Sequence, residues 1–124
     1  MSLDSLLALT AADLGPAPCL RVVSLAARQM GLSLPEPEEA AARAEALRQR
    51  GIDPGEFPLG WAVVEWPPAI GDVLVMDSHL GPSSHLAIVT DPGWALHWST
   101  SGVVRSRCSA LRKRVRNVLR QTTC

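Results

Sequence analysis

Apolar and polar positions alternate with period two from Ser84 to Val104, in the run SHLAIVTDPGWALHWSTSGVV. Such alternation predicts two short strands, because successive side chains of a strand point to opposite faces. Asp91-Pro92-Gly93 separates them with turn chemistry: proline presets φ, and glycine accepts a positive φ. On the first strand His85, Ala87 and Val89 share one face and Leu86 and Ile88 the other. On the second, Ala95, His97 and Ser99 are sorted from Leu96 and Trp98. Each strand thus has a small, polar face carrying a histidine and a bulky apolar face suited to a core. Pairing of the small faces would set the two histidines side by side, aimed at a gap lined by alanines. The register is left open by the turn. A two-residue loop puts His85 opposite position 100, and a bulge or an odd-length loop is needed to bring His97 alongside.

Upstream the period changes to that of helices. Leu3 to Leu14 carries a stripe of Leu3, Leu6, Leu7 and Ala11. Gly15-Pro16-Ala17-Pro18 interrupts it, and Pro18 suits the first turn of a new helix, where a missing N–H costs no bond. That helix is expected to run to about Met30 and to stop at Gly31, with Cys19, Val22, Val23, Ala26 and Met30 on its apolar stripe. Glu36 to Arg50 reads as a further helix, its acids early and arginines late as the macrodipole prefers. The Gly/Pro-punctuated stretch from Gly55 to Pro68 holds one short strand around Trp61 to Trp66, and Gly71-Asp72 introduces a strand Val73–Met76. Ser109 to Arg114 reads as a helical turn and Val115 to Leu119 as a last strand. Helices first and a meander afterwards predict an α+β fold, with N-terminal helices packed on an antiparallel sheet.

At 124 residues the chain is expected to form a single domain, residues 1–124. A hydrophobic content of 47% against 19% charged residues argues against disorder. The formal net charge of zero conceals an asymmetry. All twelve acidic residues lie at or before Asp91, whereas Arg105 to Arg120 holds seven of the twelve basic ones. That basic segment lacks stacking aromatics and reads as a solvated strand and turn that could dock an acidic partner, so nucleic acid is not expected. No apolar run reaches membrane-spanning length, and Asp4 stands where an export signal would carry positive charge. The expected location is the cytoplasm as synthesised, with carriage inside a phage-like particle as the alternative.

Three cysteines without close pairs make a disulfide framework or a zinc site of Cys19, His85, His97 and Cys108 a poor fit, and neither metal nor cofactor is expected. Cys19 is chemically more suggestive. A cysteine in the first turn of a helix meets unpaired N–H groups and the positive end of the dipole, which favour thiolate. Beside it, His85 would act as general base and acid, His97 would orient the His85 ring, and the Cys19 N–H would face a developing oxyanion. The combination is that of acyl transfer through a thioester.

These residues carry a resemblance. Cys19-Leu-Arg-Val-Val, Gly31-Leu-Ser-Leu-Pro35, Gly60-Trp61, Gly71-Asp72-Val-Leu-Val-Met, Ser84-His85-Leu-Ala-Ile-Val and Leu96-His97-Trp98-Ser99 resemble the NlpC-type cell-wall cysteine peptidases, a papain-like group, and their phage-tail-associated branch in particular. The resemblance implies a papain-like core with a cysteine at a helix start, a triad of Cys19, His85 and His97, and cleavage of a peptide bond in peptidoglycan stem peptides. It implies phage tail proteins as partners. The chain departs from the family at Pro18-Cys19-Leu20-Arg21, where Asp-Cys-Ser-Gly is usual, and it has no tyrosine. Arg21, Trp61 and Ser84 are the expected substrate contacts: Arg21 would narrow the cleft or hold a carboxylate, and Trp61 would form a wall. Ser84 adjoins His85 but faces away from it, which disfavours a serine nucleophile. Two other functions stay open, a catalytically inactive structural or assembly protein that keeps the fold and a thiol acyltransferase.

Overall fold

The computed structural model describes residues 3–15, 17–34, 61–78, 81–100 and 102–121, with positions 42, 45, 46 and 49–51 between them. Helices α1 (Leu3–Leu6), α2 (Ala11–Leu14) and α3 (Pro18–Gln29) precede the strands β1 (Trp61–Val64), β2 (Val73–Ser78), β3 (Gly81–Asp91), β4 (Trp94–Ser99) and β5 (Gly102–Arg107). A short helix α4 (Cys108–Leu111), a 3₁₀ turn at Arg112–Arg114 and β6 (Val115–Gln121) complete the described chain. The strands form one six-stranded antiparallel sheet in the order β1-β6-β2-β3-β4-β5. The fold is α+β.

Pro18 occupies the first position of α3, Met30 caps its end, and Gly31 follows with φ 76°. Val22, Val23, Ala26 and Ala27 of α3 are fully buried against Val73, Val75, Ile88, Leu96 and Leu119. At roughly 1.5–3 kcal/mol for each fully buried valine or leucine-sized side chain, this seam fixes where the start of α3 stands over the sheet.

Two expectations are corrected. Leu3 to Leu14 is not one helix but two short ones. Thr10 breaks the run by capping α2: its hydroxyl accepts from the Asp13 N–H, and the Asp13 carboxylate accepts from the Thr10 N–H. This capping box offers the backbone local bonds that compete with helix continuation, and Leu7 is left exposed. The small faces of β3 and β4 also line no gap. Ala87, Val89 and Ala95 are buried in a second core cluster with Leu74, Met76, Val118, Cys108 and Leu111. The middle strands are covered on both sides, and the alanines are where the second layer packs.

Of the expected helix Glu36–Arg50, positions 42, 45, 46 and 49 are described and helical and Arg50 is in a turn; the remainder, with His79, Cys124 and the Ser84 side chain, lies outside the described residues. The basic segment spans β5, α4 and β6, and antiparallel pairing brings it back against earlier acids: Arg105 meets Asp91, Arg116 meets Asp77, and Arg120 meets Asp72. Arg107 and Arg112 stack on Trp94 and Trp66. Three of the seven basic residues of the segment are thus paired with acids of the same chain. Asp72 also fastens the turn before β2, where it accepts the Ala69 N–H at 2.8 Å as well as two bonds from Arg120.

Candidate active site

The turn between β3 and β4 settles the register. Asp91 pairs with Trp94 across Pro92-Gly93, but Val89 pairs with Ala95, so Thr90 is an extra residue on β3. Continued from the turn without interruption, the pairing would have set His85 against position 100. The bulge shifts the ladder by one, Ala87 faces His97, and His85 and His97 share a face as diagonal neighbours. Their rings are perpendicular, with centroids 5.3 Å apart.

Cys19 is the second residue of α3, and its Sγ lies 3.1 Å from His85 Nδ1. The other nitrogen of that ring, Nε2, lies 3.2 Å from His97 Nδ1. His97 Nε2 in turn lies 2.9 Å from the Ser106 hydroxyl. The result is one line of polar contacts, Cys19 to His85 to His97 to Ser106, drawn from α3 and three neighbouring strands. His97 Nδ1 has a second neighbour, the Trp98 carbonyl oxygen at 3.3 Å.

The line transmits a proton in one sense only if every ring has the right tautomer. For His85 to accept the Cys19 proton at Nδ1, its own proton must sit on Nε2 and be donated to His97 Nδ1. His97 must then carry its proton on Nε2 and donate it to Ser106.

Electrostatics differ from the expectation for a helix start. Burial pushes the Cys19 thiol upward, and its own backbone N–H offsets this only in part. Burial, then His97, then Arg114 lower His85 to about 4. His97 is lowered as well, by burial, with the Trp98 carbonyl opposing and Arg114 adding to the shift. A half-buried pair flanked by a cation disfavours the charged imidazolium. Both shifts favour a thiol beside a neutral imidazole over the thiolate–imidazolium ion pair expected from the helix start.

Arg21 lies half-buried on α3, two residues beyond Cys19. Trp61 packs against the first core cluster, and its indole N–H donates to the Ser33 carbonyl. Its strand is separated from β3 by β6 and β2. Cys108 is a buried core residue whose N–H donates to the Gly93 carbonyl. No group of three or more potential ligands among the described residues is arranged to hold a metal ion. None of the described helices is long and apolar enough to cross a membrane.

No family model matches the chain, and no curated protein matches it as a relative. What the site can do therefore rests on its own geometry.

Ser106 and Arg114 were absent from the expected site. Both lie in the basic segment, where charge dominated the pattern. The available signal for Ser106 was alternation: Val104 and Ser106 share a face of β5, and Val104 pairs with His97. Arg114 ends the 3₁₀ turn before Val115, and Val115 is aligned with His85 through Met76 of the intervening strand. Only the sheet order reveals that proximity.

Proposed function

We infer that the protein is a cysteine peptidase or amidase that cleaves a peptide bond through a thioester. The observation that carries this reading is the 3.1 Å contact between Cys19 Sγ at the start of α3 and His85 Nδ1, continued to His97. In the first step His85 Nδ1 takes the thiol proton as Sγ attacks the carbonyl carbon. The first-turn N–H of Cys19, which has no intrahelical acceptor, faces the oxyanion that forms. Collapse of the tetrahedral intermediate breaks the C–N bond, and the proton on Nδ1 passes to the leaving amine. Water then attacks the thioester, giving a proton to His85. The C–S bond breaks, and that proton returns to sulfur. While His85 is charged, its Nε2–H is held by His97.

The neutral resting pair fits this scheme, since proton transfer accompanies attack and no stored thiolate is required. The resemblance of the sequence to NlpC-type, papain-like enzymes supports peptidoglycan stem peptides as substrate and a phage-tail or prophage setting, with tail proteins as partners. Arg21 and Ser84 are proposed to contact the peptide near Cys19. Trp61 is the weakest of the three proposed contacts, because its position is explained by packing.

A second reading has an observation of its own. A thiol and an imidazole both held neutral suit an assembly protein that keeps the fold without turnover. The two readings separate on purified stem peptides: the wild-type chain is expected to release product and to show the mass of an acyl adduct early in the reaction, and Cys19→Ala is expected to do neither. Equal release by Cys19→Ala would overturn the nucleophile. Absence of both product and adduct in the wild type would favour the assembly protein, and an adduct discharged to added amines faster than to water would favour a thiol acyltransferase.

A further inference from the structure

We propose that Ser106 is a positioning residue that holds His97 in the tautomer the dyad requires; this rests on the peptidase reading above. His97 Nδ1 stands between two competitors, His85 Nε2 at 3.2 Å and the Trp98 carbonyl at 3.3 Å. A carbonyl oxygen can only accept. It therefore draws the His97 proton to Nδ1, and a protonated Nδ1 can no longer accept from His85. His85 must then turn its own proton to Nδ1, facing Cys19, and it ceases to be a base for the thiol.

Ser106 supplies the alternative. Its hydroxyl, 2.9 Å from His97 Nε2, is the acceptor that lets the proton reside on Nε2. His97 is buried at 5% exposure, so a donor there without an acceptor would be costly, whereas a ring nitrogen lone pair without a donor is tolerated more readily. Removing the hydroxyl therefore tips the proton to Nδ1 and the Trp98 carbonyl. The cross-strand register makes the contact possible: Val104 faces His97 and Ser106 faces Ala95, so Ser106 reaches His97 as a diagonal neighbour on the same face of the sheet.

The test is the nitrogen-15 spectrum of the histidine rings, recorded in the Cys19→Ala chain so that it does not depend on turnover. With Ser106 present, His97 is expected to be protonated on Nε2; in Ser106→Ala the proton is expected on Nδ1, and in Ser106→Thr it is expected back on Nε2. In the catalytically intact chain, Ser106→Ala is expected to lower kcat roughly tenfold to 100-fold with KM little changed, part of the 10²–10⁴ typical of general base catalysis, and Ser106→Thr to restore it. Thermal unfolding of each variant identifies any that fails to fold. A His97 tautomer that is the same in the Ser106→Ala and parent chains overturns the positioning role. A changed tautomer in a protein whose wild type turns over no peptide supports that role and overturns the peptidase reading instead.

Discussion

The resting charge of His85 can be tested through stability. Its pKa is lowered from 6.5 to about 4 by burial, by His97 and by Arg114. Between those two values the unfolded chain holds a proton on His85 that the folded chain does not, so stability rises with pH across that window and is lost as pH falls through it. At about 1.4 kcal/mol per pH unit, a displacement of this size corresponds to a ceiling of about 3 kcal/mol. Solvent screening of a half-buried ring brings the expected loss to about 1–2 kcal/mol. For a chain of this length that is a fall in Tm of about 3–8 °C between pH 7 and pH 4. His85→Gln cannot titrate and is expected to lack this increment, so the difference between the two melting profiles isolates it from the carboxylates that titrate in the same range. His97 is lowered too and contributes to both profiles in the same direction. A carbon-13 or proton titration of the His85 ring gives the same quantity site by site, and Arg114→Gln is expected to move that titration upward. Titration of His85 at 6.5 or above in the folded wild type would refute the neutral pair and restore the thiolate–imidazolium form.

Two further outcomes are expected from the frame around the site. Deletion of Thr90 takes out the unpaired residue but leaves Val89 opposite Ala95 and Ala87 opposite His97, so His85 and His97 still share a face; the coupling between the two ring titrations is expected to persist in the folded variant, and its loss would refute the assignment of Thr90 as the extra residue. Asp72→Ala removes a carboxylate of 1% exposure that holds the Ala69 N–H and the Arg120 guanidinium, and is expected to cost about 1–3 kcal/mol in denaturant melts. Asp91→Ala breaks an exposed pair with Arg105 and is expected to cost at most about 1 kcal/mol, so equal losses would refute the distinction drawn from burial.

Much of this architecture is written in local pattern. Pro18, the i, i+3, i+4 stripe through Val22, Val23 and Ala26, and Gly31 specify α3 with its ends, since each is a rule about bonds within a few residues. Alternation and Pro92-Gly93 specify the β3–β4 hairpin, and with it two histidines of equal parity. Where local signals compete, the pattern misleads: the leucine stripe before Gly15 continues through Thr10, but the Thr10–Asp13 box diverts the backbone. The acid-rich first part and the basic last part of the chain are separated in sequence, yet β5 and β6 bring Arg105, Arg116 and Arg120 beside Asp91, Asp77 and Asp72.

The site itself divides the same way. The sequence determines that Cys19 opens a helix and that His85 and His97 share a face once their register is even. It does not determine the register, because one extra residue at Thr90 reverses every facing and leaves the composition unchanged. Nor does it determine the charge of the dyad: a helix start favours thiolate, and only the assembled fold shows that burial opposes it at Cys19 and that burial, His97 and Arg114 disfavour the His85 cation. The meeting of Cys19 with His85 across 66 positions is an expectation that no local rule secures, and that of His97 with Ser106 belongs to the tertiary structure alone. Strand order and helix docking are fixed by the summed burial of many side chains, and no single residue in the line of contacts records where its partner will stand.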